Sequence, residues 1–158
     1  MNKLQQIIAF LCIKYPRKQE LSNARLTKLV YLSDWVSSVL TGEPMTQINW
    51  VFNHYGPYVD DVIISARSHS FFTISKDTNV YGAQKVLISY EGPHDEIRLL
   101  PAEKNILIAV IEKTSGMYFN EFVEYVYSTY PVKANERYSE LNMSKLAREY
   151  KSQKDYLY

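Results

Sequence analysis

The segment from Leu26 to Leu40 constrains the fold more than any other part of this chain. Its apolar residues recur at the spacing of an α-helix. They cover about 200° of the helix circumference at about 100° per residue. We expect a helix this apolar to lie at the centre of the fold, with other elements packed on two of its sides. Arg25 and Lys28 fall inside the apolar arc, so each cation needs a buried partner or a path to water along its aliphatic stem.

The opposite side of the same helix carries polar residues, which predicts that this side faces solvent. Tyr31 and Asp34 lie there. A tyrosine flanked by polar groups is typical of a contact anchor in a protein interface. We therefore predict that Tyr31 and Asp34 contact a partner protein. Trp35 belongs to the apolar arc, and we expect it to lie in the core.

The boundaries of the first two helices follow from local signals. The apolar spacing of the first helix stops at Pro16, Ser22 can cap the second helix, and Gly42 can end it. Two helices joined by a short loop also permit a helix-turn-helix interpretation. The second helix is too apolar for that role, because a recognition helix presents polar side chains to base edges.

A strand and a turn follow the second helix. Side chains alternate around Trp50 as they do in a strand, and Trp50 is a second expected core tryptophan. Gly56 allows a backbone conformation closed to other residues, and Pro57 is suited to the first position of a third helix. Asp60 and Asp61 then fall in the first turn of that helix, where carboxylates are favoured.

The remaining pattern predicts an α+β domain that is mainly helical. We expect one domain over residues 1–158, with five to six helices and a small antiparallel β-sheet inserted between the third and fourth helices. Residues 151–158 read as a frayed tail. The sheet is predicted from strands at Phe71–Ser75 and Lys85–Glu91 around a turn at Asp77–Gln84, with Ile97–Leu100 as a candidate third strand.

Composition narrows the classes of function. The 18 basic and 17 acidic residues give a net charge of +1, so no strong electrostatic footprint favours nucleic acid or an anionic membrane. The sequence has no run of 18 apolar residues, which argues against a membrane span. The single cysteine, Cys12, lies on the apolar face of the first helix and suits a reducing cytoplasm. We expect Cys12 to be a buried thiol.

The sequence lacks recognisable motifs for catalysis and for metal binding. Its three histidines, His54, His69 and His94, form no HExxH pair, and one cysteine cannot build a zinc knuckle. The sequence also lacks a GxSxG nucleophile elbow and a glycine-rich phosphate loop. We therefore predict a binding protein with no catalytic residues, no metal and no cofactor.

Three segments in order resemble a known family. LTKLVYLSDW at 26–35, GEPMT at 42–46 and HYGPYVDDV at 54–62 together resemble the Panacea domain, also described as SocA-like. This resemblance implies an antitoxin that neutralises a toxin by direct protein contact, as found in toxin–antitoxin operons and phage genomes. It also implies a family scaffold formed by Lys28, Trp35, Trp50, Gly56 and Pro57.

Several alternatives stay open at this level. The same contact chemistry fits a phage-related defence or anti-defence factor, and a DNA-associated regulator is a further alternative. Either function is compatible with a homo-oligomer. Tyr55 and Tyr58 flank the glycine–proline turn, and we predict that they contact the partner. Lys28 either extends toward water or forms an ion pair with Asp60 or Asp61.

Overall fold

The computed structural model describes residues 1–78, 82 and 84–156. Over these residues the chain forms an α+β fold that is mainly helical, which confirms the predicted class. The described part contains seven α-helices rather than five to six, and two small antiparallel sheets rather than one. The elements are α1 (Lys3–Lys14), α2 (Asn23–Thr41), β1 (Trp50–Asn53), β2 (Gly56–Pro57), α3 (Asp61–Arg67), β3 (Phe72–Thr78), β4 (Gln84–Tyr90), α4 (Pro101–Thr114), α5 (Phe119–Tyr127), α6 (Tyr130–Lys133), β5 (Glu140–Leu141) and α7 (Met143–Tyr156).

Helix α2 lies at the centre of the fold, as its apolar arc predicts. It contacts α1, α3, α4, α5, α7 and β4. Ser22 caps its start by accepting a hydrogen bond from the Arg25 N–H at 3.1 Å. Gly42 ends it with a φ of +91°, a conformation that glycine adopts without strain. The polar side of α2 is buried as well, so the prediction that this side faces solvent is wrong.

The first sheet lies between α3 and α4, where the sequence predicts it. Strands β3 and β4 pair from Phe72↔Tyr90 to Thr78↔Gln84. Of the turn expected between them, residues 79–81 and 83 lie outside the described part. The second sheet was not predicted. It has the order β2-β1-β5, and β1 pairs with β2 at Phe52↔Pro57 and with β5 at Trp50↔Leu141.

Two local predictions are wrong for reasons of hydrogen bonding. Pro57 does not begin a helix, because it pairs with Phe52 as part of β2, and α3 begins four residues later at Asp61. The candidate strand at Ile97–Leu100 is not a strand. Its Arg98 N–H donates to the Gln6 side chain of α1 at 2.6 Å.

The expected frayed tail is helical up to Tyr156 as part of α7, and residues 157–158 lie outside the described part. Aromatic packing anchors α7 at the residue just before this tail. The Tyr150 ring lies 5.5 Å from the Trp35 ring and 5.6 Å from the Tyr130 ring, centroid to centroid. Among the described helices, none combines the length and the apolar character that crossing a membrane requires.

Cys12 is buried in α1, as predicted, with 4% of its surface exposed. Its thiol points to the Ile88 carbonyl oxygen at 3.7 Å. Burial raises the pKa of this thiol to about 12, because the thiolate would lose its hydration, and Lys18 opposes the rise only in part. The thiolate is therefore scarce in the folded protein.

We expect Cys12 to react with a thiol reagent such as DTNB only when the protein unfolds. At pH 8 the native protein should react about 1,000-fold or more slowly than the protein in denaturing guanidinium chloride. A Ser152→Cys variant is the control, since Ser152 is exposed in α7 and should add one fast-reacting thiol. Fast modification of the unaltered native chain would contradict the burial of α1 against β4.

Candidate partner-binding surface

Asp34 is a structural residue that joins α2 to the segment leading into β1. Its side chain is fully buried. One carboxylate oxygen accepts hydrogen bonds from the N–H groups of Met45 and Thr46, both at 2.9 Å. The other accepts from the Thr46 hydroxyl and from Trp50 Nε1, the latter at 2.8 Å. Burial raises the pKa of the Asp34 carboxyl, and these four hydrogen bonds oppose the rise by stabilising the ionised form.

Tyr31 is buried as completely as Asp34. Its hydroxyl lies 2.7 Å from the Thr129 hydroxyl, and its ring meets the Trp50 ring edge-on at 5.6 Å. The expected exposure of Tyr31 and Asp34 is therefore wrong, because both side chains are buried. Two features cover the polar side of α2 with protein: the β1 strand and the α5–α6 connection.

Lys28 is buried beneath the β1–β2 hairpin, with 3% of its surface exposed. No carboxylate oxygen of the described residues lies within 4.0 Å of its amine, so the ion pair with Asp60 or Asp61 is wrong. Both aspartates are exposed at the start of α3. Burial lowers the pKa of Lys28, because the ammonium is poorly solvated there.

Gly56 closes the hairpin over Lys28 and needs to be glycine. Its φ is +103°. A Cβ at this position would lie 3.2 Å from Tyr127 Cε2 and 3.7 Å from Lys28 Cε. Pro57 is buried beside it. The Gly56-Pro57 pair therefore lets the hairpin backbone approach α5 and α2 closely.

The two tryptophans lie in the core, as predicted. Trp50 has 1% and Trp35 has 8% of its surface exposed. Trp35 stacks on Tyr130 at 6.3 Å between ring centroids. Lys28, Gly56 and Pro57 are buried as well, so all five residues of the expected family scaffold lie in the interior.

The exposed end of the hairpin carries an aromatic cluster formed by His54, Tyr55 and Tyr138, which we call the hairpin patch. Tyr55 is 76% exposed and Tyr138 is 66% exposed. The His54 ring packs edge-on against Tyr55 at 4.5 Å, and His54 Nδ1 lies 3.4 Å from the Tyr138 hydroxyl. Exposed tyrosines held in a cluster are suited to protein contact.

Tyr138 occupies this position at a conformational cost. Its φ is +74°, in the left-handed region that bulky residues rarely adopt. The Tyr138 N–H donates to the Phe52 carbonyl, and the Phe52 N–H donates to the Ser139 carbonyl at 2.9 Å. The second sheet therefore holds a strained, exposed tyrosine beside the hairpin, and such strain concentrates at functional sites.

Sequence reasoning identified Tyr55 as exposed and missed Tyr138. Nothing local marks Tyr138, because it reaches His54 only through the pairing of β1 with β5, 84 residues along the chain. Tyr58, the other predicted contact, is half-buried. Its hydroxyl accepts a hydrogen bond from the Asn23 side chain at 2.9 Å and donates to Asp60 at 3.0 Å. Partner contact by Tyr55 and Tyr58 stays a prediction.

The hairpin patch offers binding chemistry rather than a reaction centre. His54, its one imidazole, meets tyrosines on both sides. Within the residues that the structure describes, no group of three or more His, Cys, Asp or Glu side chains is placed to hold a metal ion.

Comparison with known proteins gives one result. A family model described as "Antitoxin SocA-like, Panacea domain" matches residues 26–131, which is more than half of the chain. The matched range runs from α2 into α6 and includes the hairpin and both buried tryptophans. No curated protein and no solved structure shows a significant match.

We expect Asp34→Asn to destabilise the protein by about 3 kcal/mol, because the amide would turn a donor toward groups that themselves donate. Urea unfolding followed by circular dichroism measures this loss. Asp95→Asn is the matched control, because Asp95 is exposed and makes no hydrogen bond or ion pair with the described residues. It should change stability by less than about 0.5 kcal/mol. Equal stability of the two variants would contradict the role of Asp34.

Three glycine-to-alanine variants separate strain from steric contact. Gly56→Ala meets both a positive φ and the Tyr127 ring, Gly42→Ala meets only a positive φ, and Gly116→Ala meets neither. We expect losses in the free energy of unfolding of about 3 kcal/mol, about 1 kcal/mol and about zero in that order. The same urea titration measures all three. A Gly56→Ala variant no less stable than Gly42→Ala would contradict the close approach of the hairpin to α5.

Proposed function

The chain belongs to the antitoxin SocA-like, Panacea domain family, and from this premise we propose that it neutralises a partner toxin by direct protein–protein contact. The family match over residues 26–131 is the observation that carries this proposal. It covers the β1–β2 hairpin with His54 and Tyr55, whereas Tyr138 and β5 lie beyond the matched range. The proposal assigns the chain a binding step and no catalytic step, since its sequence carries no motif for catalysis or phosphate binding.

The hairpin patch is the surface that we assign to the toxin. Tyr55 and Tyr138 expose large aromatic surfaces, and two features of the fold restrict their motion: the β1–β2 turn and the β5 pairing. A side chain that is already held loses little conformational entropy on binding. Arg137 lies beside them, with its guanidinium 5.3 Å from the Phe52 ring centre, and adds a positive charge at the edge of the patch.

Two other roles fit the structure less well. A DNA-associated regulator needs an exposed, basic element that can enter a groove. The second helix of the helix-turn-helix interpretation, α2, is surrounded by protein and cannot do so. A phage-related defence or anti-defence factor would use the same contact chemistry as an antitoxin. The genes that flank this one distinguish those two settings.

Co-expression tests the proposal directly. Each gene that neighbours this one is expressed from an inducible promoter, alone and together with this chain. We expect one neighbour to arrest growth alone, to be rescued by this chain, and to co-purify with it. If no neighbour is both toxic and rescued, the antitoxin function is refuted.

We expect two hairpin-patch variants, Tyr55→Ala and Tyr138→Gly, each to weaken toxin binding about tenfold, measured by calorimetry on the purified pair. Tyr138→Gly is the sharper variant, because glycine relieves the positive φ and should leave the fold at least as stable. Leu40→Ala is the control. Leu40 is 66% exposed and lies about 18 Å along α2 from Lys28, away from the hairpin. Unchanged affinity in both tyrosine variants would remove the hairpin patch from the interface.

A further inference from the structure

The exposed face of helix α7 carries charges of one sign. Lys145, Arg148 and Lys151 are exposed there at intervals of three residues, and we call these three residues the α7 stripe. The exposed residues that follow them, Ser152 and Gln153, are uncharged. Among the side chains that the structure describes, no other α-helix exposes three charges of one sign without an opposite charge. The net charge of +1 thus includes a local excess of positive charge on α7.

No acidic residue within the fold neutralises the α7 stripe. No carboxylate oxygen of the described residues lies within 4.0 Å of any of its three cations. Glu149, the one acidic residue among residues 143–153, is half-buried beside α6, where it accepts a hydrogen bond from the Tyr130 hydroxyl at 3.3 Å. Lys154 and Asp155 follow in the sequence and cancel in formal charge. The stripe therefore presents its positive charge to solvent.

This arrangement lowers the stability of α7. Side chains three residues apart on a helix are neighbours, with about 5–6 Å between their Cβ atoms, so Lys145 repels Arg148 and Arg148 repels Lys151. An acidic side chain at one of these positions would form a stabilising pair instead. Helix stability alone therefore does not explain the stripe. An anionic surface placed against it would turn the repulsion into attraction.

The packing of α7 holds the stripe in place. The other side of the helix is buried through Met143, Leu146 and Ala147, and α7 contacts both α2 and α6. The Tyr150 ring packs edge-on against Trp35 of α2, 5.5 Å between ring centroids. Because the helix backbone is fixed in this way, a partner needs to order only the three long side chains of the stripe, which limits the entropy lost on binding.

The α7 stripe adjoins the hairpin patch along the chain. Strand β5 leads from Tyr138 into α7, and Met143 follows Tyr138 by five residues. At about 3.4 Å per residue their Cα atoms lie at most about 17 Å apart. An interface of ordinary size buries about 800 Å² on each partner and is on the order of 30 Å across. One partner can therefore cover Tyr138 and the start of α7 together.

We propose that the α7 stripe binds an acidic surface of the partner toxin, beside the contact made by the hairpin patch. Carboxylates of that surface pair with Lys145, Arg148 and Lys151. Such pairs at the edge of an interface speed association and select the partner by its charge. The stripe lies beyond residues 26–131, so the family match does not account for it. This proposal rests on the proposed function, because it takes the partner to be the toxin.

The extent of the stripe favours an acidic protein surface over a nucleic acid. Lys145 and Lys151 lie about 9 Å apart along the helix axis, which a short group of Asp and Glu side chains can match. Glu136 and Glu140 are exposed just before α7. A protein can place carboxylates opposite the stripe alone. The phosphates of a nucleic acid continue in both directions and would also meet these two glutamates.

Removing the three charges tests the proposal on the purified chain and toxin. The triple variant Lys145→Gln, Arg148→Gln, Lys151→Gln keeps long side chains of similar helix propensity, and thermal unfolding verifies that it is folded. By biolayer interferometry, we expect its affinity for the toxin to fall about tenfold at about 50 mM salt, mostly through slower association. At about 0.5 M salt the loss should be below about threefold, because salt screens exposed charges. Unchanged affinity of the folded variant at low salt would overturn the proposal.

A matched control separates the position of the charges from their number. The triple variant Lys14→Gln, Arg67→Gln, Lys76→Gln removes the same charge from exposed positions on α1, α3 and β3. We expect it to change toxin affinity by less than about twofold. An equal loss in the two triple variants would show that only the total charge matters, and the α7 stripe would then have no special role.

A nucleic acid as the occupant has its own measurement. A fluorescein-labelled DNA duplex of about 20 base pairs and a single-stranded RNA are each titrated with the unaltered chain at about 50 mM salt. We expect the unaltered chain and the α7 triple variant to bind them equally weakly. Loss of nucleic-acid binding in that variant together with unchanged toxin affinity would make a nucleic acid the partner of the stripe and refute the proposal.

These outcomes separate the inference from the function on which it rests. A rescued toxin whose affinity does not depend on the stripe refutes the inference and leaves the antitoxin function standing. If no neighbour is toxic, the antitoxin function falls, and with it the toxin as occupant. A titration with hexaglutamate, followed in ¹H–¹⁵N NMR spectra, then still decides whether the stripe selects carboxylates. We expect the largest amide shifts at Lys145, Arg148 and Lys151, and none with hexaglutamine. Equal shifts at Lys14 and Lys76 would overturn this selectivity.

Discussion

The hydrogen bonds of Asp34 connect the central helix to the segment that leads into β1. One buried carboxylate binds the backbone at Met45 and Thr46 and the indole of Trp50, and so determines where the chain enters β1. Strand β1 then pairs on both sides, with β2 at the hairpin and with β5 before α7. A charge buried in this way is tolerated because donors surround both of its oxygens. The position of the hairpin patch depends on this network.

The two buried cations of α2, Lys28 and Arg25, are accommodated in different ways. Lys28 lies under the hairpin with no carboxylate of the described residues near it, and burial lowers its pKa. Its aliphatic stem packs against Gly56, so it serves the close approach of hairpin and helix. Arg25 is held by a hydroxyl, a carbonyl and an aromatic ring, and no carboxylate oxygen of the described residues lies within 4.0 Å of it. Both cations are therefore enclosed by protein, Arg25 with 2% and Lys28 with 3% of its surface exposed.

In the proposed interface, buried residues support the fold and exposed residues bind the partner. The residues on which the sequence resemblance rests, such as Trp35 and Gly56, are buried in the fold. The exposed residues that we assign to binding, Tyr55 and Tyr138, lie at the surface of the hairpin. A family that keeps such a framework can change this surface without changing the fold, because surface side chains contribute little to stability.

The sequence by itself determined the α+β class, the central position of α2, the sheet between α3 and α4, the two buried tryptophans and the family. Each of these follows from local periodicity, from a capping signal or from an ordered motif. It did not determine the second sheet or the helical tail. Strands β2 and β5 have two residues each, too few for a period, and α7 is ordered by packing on Trp35 from across the fold.

The candidate site could be predicted from the sequence less well than the fold. Tyr31 and Asp34 look exposed on a helical wheel, because a wheel shows the polarity of a face and not what covers it. Only the tertiary structure shows that β1 and the α5–α6 connection cover that face and satisfy its polar groups. Likewise, Tyr138 lies beside the hairpin only because distant segments of the chain meet there. Helical periodicity is a property of neighbouring residues, whereas burial and surface depend on contacts between residues far apart in the chain.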